Sequence, residues 1–149
     1  ELFLLVYSLQ RPIIKIILKV KYMQTKSLNL LLEIANKEIK RLTFAESMDI
    51  IRNSKFVIID VREESEVYNQ GLIKNAIHIP RGLIEFKLSP DSPNNPVNID
   101  HDTNILVYCA GGFRSALAAK TLSDMGFHNV YNMGGFQEWI DSGGEIQAT

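Results

Sequence analysis

The stretch Ile105-Leu106-Val107-Tyr108-Cys109-Ala110-Gly111-Gly112-Phe113-Arg114-Ser115 decides the fold. Its first four residues form a continuous apolar run, which predicts a buried parallel strand. Residues 116–126 then carry apolar side chains at helical spacing and end at Gly126, which predicts a helix with a glycine at its C-terminal end. The only cysteine of the chain therefore lies at the turn from a strand to a helix.

This turn favours the thiolate form of Cys109. It directs backbone N–H groups and the positive end of a helix dipole toward the sulfur, and Arg114 adds a full positive charge. The thiolate is the nucleophilic form of cysteine, so we expect Cys109 and Arg114 to be catalytic. The glycines and the arginine argue against the alternative, a buried cysteine that acts only as a small apolar residue. The remaining residues of the predicted binding loop are Ala110, Gly111, Gly112, Phe113 and Ser115.

The spacing of this loop resembles that of the rhodanese-like sulfurtransferases. Their active loop opens with a cysteine and often ends in an arginine, and four residues separate Cys109 from Arg114 here. Loops of the tyrosine-phosphatase type contain one residue more and hold a phosphate. The shorter loop forms a tighter cradle, which suits a sulfur atom carried on the cysteine itself.

Three further segments resemble the same family in the same order along the chain. They are residues 71–80, the segment Pro80-Arg81-Gly82 with its following Glu85-Phe86, and the closing pattern Gly134-Gly135-Phe136 with Trp139. Two residues depart from the family pattern: Leu72 stands where His is common, and Asn75 stands where Gly is common. Because Asn tolerates a left-handed backbone, we expect the turn at Asn75 to persist. The resemblance covers about residues 38–147.

The alternation of strands and helices predicts an α/β fold with a mainly parallel central sheet and helices on both faces. The resemblance implies a sulfurtransferase that moves sulfane sulfur from a donor such as thiosulfate to a thiophilic acceptor, cyanide or a thiol, through a persulfide on Cys109. It implies no cofactor and leaves room for a protein partner in a sulfur relay. Two alternatives stay open: a non-catalytic persulfide carrier or docking module, and a phosphatase or arsenate reductase on the same fold. The short loop argues against the second, as does Tyr108, where phosphatase loops often have a histidine.

Polar residues at the end of a second predicted strand are candidates for supporting roles. The run Phe56-Val57-Ile58-Ile59 predicts a central strand, and Asp60 and Arg62 follow it. Ligands gather at the carboxyl ends of strands in open α/β sheets, so these residues are expected on the same rim as Cys109. The alternative is an aspartate that caps the next helix and an arginine in a surface ion pair. Arg81 is expected either to bind an anionic sulfur donor or to be a surface charge beside a helix.

Composition narrows the class of protein. A chain of 149 residues suits one domain, and its net charge of −1 gives no electrostatic reason to expect nucleic acid or an anionic membrane as a partner. A single cysteine excludes an intrachain disulfide and fits a reducing compartment such as the cytoplasm. The three histidines are scattered, so no metal site is predicted: His78, His101 and His128.

The N-terminal part differs from the rest of the chain. Residues 1–22 are interpreted as an extension outside the domain, upstream of a natural start at Met23, because an amphipathic segment follows Met23. No apolar run in the extension reaches the ~18 residues of a membrane span. A membrane-anchoring helix is the alternative there. Residues 23–37 predict a leading amphipathic helix, residues 39–42 leave room for a short strand, and Thr43-Phe44-Ala45-Glu46 predicts a capping box at the start of a further helix.

Overall fold

The computed structural model describes residue 12, residues 14–16 and residues 25–149. The predicted extension at residues 1–22 therefore lies almost entirely outside the described residues. The chain divides into two compact units, Glu1–Leu30 and Leu31–Thr149. Among the residues described, no helix combines the length and the apolar character needed to cross a membrane.

The larger unit is built on a parallel four-stranded sheet. Its strands are β1 (Phe56–Asp60), β3 (Ala76–His78), β4 (Asn104–Cys109) and β5 (Val130–Gly135), in the order β3-β1-β4-β5. A short antiparallel pair, β2 (Leu72–Ile73) with β6 (Ile146–Gln147), lies outside that sheet. The α/β fold with a mainly parallel sheet is thus confirmed.

Six α-helices lie within the described residues 25–149. They are α1 (Leu28–Glu38), α2 (Phe44–Asn53), α3 (Glu64–Gln70), α4 (Ile84–Leu88), α5 (Phe113–Asp124) and α6 (Phe136–Asp141), and a 3₁₀ helix at Arg81–Leu83 precedes α4. Thr43 and Glu46 form the predicted capping box of α2. The possible strand at residues 39–42 is reduced to a single parallel bridge between Arg41 and Asn132.

The side chains of the sheet pack into two apolar clusters, because successive residues of a strand point to opposite faces. Cys109 belongs to the cluster that contains Val107, Ile84 of α4 and Leu122 of α5. Tyr108 belongs to the other cluster, whose members include residues of α3 and α6. The helices consequently cover both faces of the sheet, and β4 presents Cys109 toward α5.

Three local predictions can be compared directly with the structure. Asn75 has a φ of 66° and is the one non-glycine residue in a left-handed conformation among the residues described. Gly126, with a φ of 97°, follows the end of α5 as predicted. The apolar face expected on the leading helix is buried only toward its C-terminal end: Ala35 is fully buried, whereas Leu28 and Leu31 are exposed.

Candidate active site

The turn between β4 and α5 holds the sulfur of Cys109. Gly112 has a φ of 90°, a left-handed conformation that a glycine adopts without steric cost, and it starts the helix. The Gly112 N–H donates a hydrogen bond to Cys109 Sγ at 3.1 Å, and Ser115 Oγ lies 3.5 Å from the same sulfur. The thiol is therefore buried at the base of the loop, and the loop backbone folds back onto it.

These contacts affect the acidity of the thiol. Burial raises the pKa of Cys109, but hydrogen bonds from the Ser115 hydroxyl and from the N–H groups of Ser115, Gly111 and Gly112 lower it, and the net pKa is below the usual value. A lowered pKa increases the thiolate fraction near neutral pH, and the thiolate is the form that attacks electrophiles. The site thus has the electrostatic character expected of a nucleophilic cysteine.

Arg114 stands in the first turn of α5 and forms a bidentate ion pair. Its Nη1 and Nη2 atoms donate to the two carboxylate oxygens of Glu66 on α3, at 2.6 and 2.8 Å. The pair is partly exposed, with 35% of the Arg114 side chain and 28% of the Glu66 side chain accessible. Hydrogen bonding to Arg114 lowers the pKa of Glu66 to about 2, so both partners are charged at neutral pH.

The loop is also fixed from the side of β5. A Cβ atom at Gly135 would lie 2.5 Å from the Ala110 carbonyl oxygen, so only glycine permits this close approach. The guanidinium of Arg41 packs against Gly112 and forms an ion pair with Glu138 of α6. Ala110, Gly111 and Phe113 remain exposed, so the outer surface of the loop faces solvent.

Asp60 and Arg62 form a separate, fully buried ion pair. Arg62 Nε and Nη2 donate to the Asp60 carboxylate at 2.9 and 2.7 Å, and neither residue is accessible to solvent. The guanidinium also donates to Gln70 and to the Gly71 carbonyl, and it lies 3.9 Å from the centroid of the Phe136 ring. The alternative of an arginine in a surface ion pair is therefore wrong, because these contacts enclose the arginine completely.

Arg81 contacts α5 from the 3₁₀ helix. Its Nη2 atom donates to Thr121 Oγ1 at 2.9 Å, and its Nη1 atom lies 3.6 Å from Glu85. About a third of its side chain, 30%, is accessible. Of the candidate residues, the structure therefore brings together Cys109, Ser115, Gly112 and Arg114, while Arg81 has its own polar partners.

Two residues beside the loop were missed in the sequence. Glu66 holds Arg114, and Asn132 on β5 contacts both Gly112 and Ser115 through its side-chain amide. The position of Glu66 in the first turn of a predicted helix gave no indication of its partner. A polar residue inside the otherwise mostly apolar run Val130-Tyr131-Asn132-Met133 was the one available signal for Asn132, since a buried amide requires hydrogen-bond partners. Among the described residues, no cluster of three or more potential ligands could hold a metal ion.

Comparison with known proteins identifies the family. The family model for the rhodanese-like domain matches residues 43–142, and this chain therefore belongs to the rhodanese-like domain family. A thiosulfate sulfurtransferase GlpE of Coxiella burnetii is 32% identical over 101 residues, which are 67% of this chain and 86% of that protein. A mitochondrial protein of Schizosaccharomyces pombe, provisionally named a thiosulfate sulfurtransferase, is 36% identical over 57% of this chain. The matched region spans only 63% of that relative's length.

Solved structures agree with this assignment of the fold. A rhodanese-related protein from Thermoplasma volcanium is 30% identical with a TM-score of 0.59, and the match covers 74% of this chain and 99% of that one. A protein from Rhodopseudomonas palustris, described as being of unknown function and a possible tyrosine phosphatase, is 38% identical with a TM-score of 0.74. That match covers 84% of this chain and 97% of the other.

Proposed function

We propose that the domain, at about residues 38–147, catalyses transfer of sulfane sulfur from a donor such as thiosulfate to a thiophilic acceptor. The observation that carries this proposal is the hydrogen bond from the Gly112 N–H to Cys109 Sγ at the start of α5. It stabilises negative charge on sulfur at the position where a nucleophile and its persulfide must form. The lowered pKa of Cys109 and the sulfurtransferase names of the relatives support the same chemistry.

The first half-reaction is a nucleophilic substitution at sulfur. The Cys109 thiolate attacks the outer sulfur of thiosulfate, a bond forms between the two sulfur atoms, and the bond to the sulfonate sulfur breaks. The electron pair of that bond leaves with sulfite, so Cys109 becomes a persulfide. The N–H groups of the loop and the Arg114 guanidinium stabilise the negative charge that develops on the sulfur atoms and on sulfite.

The second half-reaction regenerates the enzyme. A thiophilic acceptor such as cyanide or a thiolate attacks the outer sulfur of the persulfide, and the Cys109 thiolate leaves. Neither step requires a cofactor, because the cysteine accepts and releases the sulfur itself. A reducing compartment such as the cytoplasm would keep Cys109 as a free thiol for the next cycle. A thiol on a protein partner in a sulfur relay could act as the acceptor in the same way.

Intact-protein mass spectrometry after thiosulfate treatment tests this function. We expect the native protein to gain the mass of one sulfur atom and to release one equivalent of sulfite, and cyanide to remove the added mass as thiocyanate. Cys109→Ser should show neither the adduct nor any turnover, since no other residue in the chain is a thiol. An adduct or residual sulfur transfer in Cys109→Ser, in protein of native thermal stability, would refute the assignment.

The description of the Rhodopseudomonas palustris protein favours a phosphatase as the second candidate. The four-residue spacing between Cys109 and Arg114 argues against it, because the loop is one residue shorter than phosphate-binding loops of this type. Assaying a generic aryl phosphate beside thiosulfate separates the two functions. Hydrolysis of the phosphoester without sulfite release would favour the phosphatase, and a persulfide that forms but turns over slowly would favour a carrier.

A further inference from the structure

Asn132 is a buried polar residue whose side chain is committed to the active loop. It lies on β5 opposite Val107 of β4, and only 1% of its surface is accessible. Its Nδ2 atom donates to the Gly112 carbonyl at 3.0 Å. Its Oδ1 atom accepts from Ser115 Oγ at 2.8 Å and from the Gly134 N–H at 2.9 Å. A buried amide is costly unless it is hydrogen-bonded, and here two of its three hydrogen bonds go to the active loop.

Two of these partners are the residues that contact the sulfur. Gly112 donates its N–H to Cys109 Sγ, and the Ser115 hydroxyl lies within reach of the same atom. Asn132 therefore contacts the sulfur indirectly through two residues, Gly112 and Ser115. One route holds the backbone of Gly112, and the other holds the hydroxyl of Ser115.

The hydroxyl route involves a competition. Ser115 has a single hydroxyl hydrogen. Asn132 Oδ1 at 2.8 Å and Cys109 Sγ at 3.5 Å are both acceptors for it. A neutral thiol is a weak acceptor, so the Ser115 hydroxyl donates its hydrogen bond to the Asn132 amide oxygen while the sulfur is protonated. An anionic sulfur is a much stronger acceptor, because hydrogen bonds to charged groups are about twice as strong as neutral ones.

We propose that Asn132 is a positioning residue that shares the Ser115 hydroxyl hydrogen with Cys109. The hydroxyl donates to Asn132 while the sulfur is neutral, and it turns to the sulfur when the sulfur is a thiolate or a persulfide anion. The O–H bond stays intact throughout, and only the acceptor of the hydrogen bond changes. Asn132 keeps the Gly134 N–H as a donor in both states, so its oxygen is never left without a partner. The thiolate part of this inference is independent of the proposed sulfur transfer, and the persulfide part rests on it.

Two arginines beside the loop are each held in an ion pair, and the test leaves both pairs unchanged. Arg114 faces Cys109 from α5 and is bound to Glu66 of α3. Arg41, which packs against Gly112, is bound to Glu138 of α6.

The pH dependence of Cys109 alkylation by iodoacetamide measures the effect without any sulfur donor. Four proteins form a cycle: native, Ser115→Ala, Asn132→Ala and the double variant. At a pH below the thiol pKa, we expect Ser115→Ala to slow alkylation about tenfold, since it removes a donor to the thiolate. In the Ser115→Ala background, Asn132→Ala should slow it further, because Gly112 loses its support. When Ser115 is present, Asn132→Ala should slow alkylation less or accelerate it, because the Ser115 hydroxyl then donates only to the Cys109 sulfur.

Asn129→Ala is the matched control, since the Asn129 amide donates to the His101 carbonyl outside the loop and its loss should not affect alkylation. The proposal is overturned if Asn132→Ala slows alkylation equally with and without Ser115, or slows it more when Ser115 is present. It is also overturned if Asn132→Ala has no effect on alkylation. A second measurement does not require the Asn132→Ala variant. The NMR chemical shift of the Asn132 side-chain carbonyl carbon should titrate with the same midpoint as alkylation in the native protein, and should not titrate in Ser115→Ala. A chemical shift that stays constant while the Cys109 thiol titrates in the native protein would contradict the proposal that the two residues share the hydroxyl hydrogen.

Discussion

Two polar clusters follow the ends of neighbouring strands in this domain, and they differ in how their polar groups are used. The Asp60–Arg62 pair at the end of β1 is fully buried, and the Arg62 guanidinium donates to Asp60, to Gln70 and to the Gly71 carbonyl. In the Cys109 loop after β4, Ala110 and Gly111 are exposed, and the buried Cys109 sulfur accepts a hydrogen bond from the Gly112 N–H.

The difference separates a cluster whose polar groups bond to one another from a loop with N–H groups that are available to a ligand. In the Asp60–Arg62 pair, the hydrogen-bonding groups are satisfied within the protein, which leaves little capacity for a ligand. In the Cys109 loop, the first N–H groups of α5 have no partner inside the helix and can stabilise charge that forms on sulfur. A position at the carboxyl end of a strand is therefore insufficient evidence for function, and the unfilled hydrogen-bonding capacity is the more informative property.

The largest expected effect follows from breaking the buried pair. Arg62→Met leaves the Asp60 carboxylate buried without its partner, and we expect the free energy of unfolding to fall by about 3–5 kcal/mol. Urea denaturation measures it. The double variant Asp60→Leu/Arg62→Met removes both charges and should recover much of the loss, since the penalty comes from the unpaired charge. A loss below about 1 kcal/mol in Arg62→Met would mean that the pair contributes no more than a surface ion pair.

A smaller effect, confined to activity, is expected at the contact between β5 and the loop. Gly135→Ala places a Cβ at 2.5 Å from the Ala110 carbonyl oxygen, so the loop must move away. Displacing a reacting group by about 1 Å can lower a rate by about 10²-fold, and we expect a decrease of that order in kcat for sulfur transfer.

Gly82→Ala is the matched control, because nothing lies within 4 Å of a Cβ at that position. Its kcat and its thermal stability should match those of the native protein. Equal kcat values for Gly135→Ala and the native protein would show that the loop adjusts to the added methyl group at no catalytic cost.

The two clusters also differ in how far sequence reasoning could reach. The strand, the turn and the helix around Cys109 are contiguous, so local patterns were sufficient to predict the geometry that lowers the thiol pKa. The burial of Arg62 depends on Phe136, whose ring lies against the guanidinium although it is distant in sequence. No local pattern distinguishes such an arginine from one in a surface ion pair, and the sequence alone therefore left both alternatives open.

The residues that support the loop were missed for the same physical reason. Glu66 meets Arg114 across 48 positions of sequence, and Asn132 meets Ser115 across 17. Each contact joins two elements that are separate in sequence, α3 with α5 and β5 with α5. Similarly, the periodicity of α1 predicted a helix but could not predict that Leu28 would be exposed, since exposure depends on what surrounds the helix.

The charge of the loop can be altered in opposite directions through the Arg114–Glu66 pair. Glu66→Gln removes the negative charge beside Arg114, so an anionic donor meets a freer cation, and we expect the KM for thiosulfate to fall about two- to fivefold. Arg114→Ala removes the cation itself and should raise that KM while lowering kcat. Steady-state kinetics at fixed ionic strength measures both changes.

Glu33→Gln provides the control for net charge, because Glu33 forms an exposed ion pair with Lys37 on α1. It changes the total charge by the same amount as Glu66→Gln and should leave the KM unchanged. A rise in KM for Glu66→Gln would instead mean that Glu66 is needed to hold Arg114 in a productive position.

The smallest effect is expected at Arg81. If its guanidinium attracts the anionic donor, Arg81→Ala should raise the KM for thiosulfate about two- to threefold, since a partly exposed charge contributes only modestly. Thr121→Val removes the hydrogen bond that Arg81 donates to α5 and keeps the positive charge. It should leave the KM unchanged if the charge is what matters. Equal increases in the two variants would assign Arg81 to the packing of the 3₁₀ helix on α5, and it would then belong with the structural cluster around Arg62 rather than with the Cys109 loop.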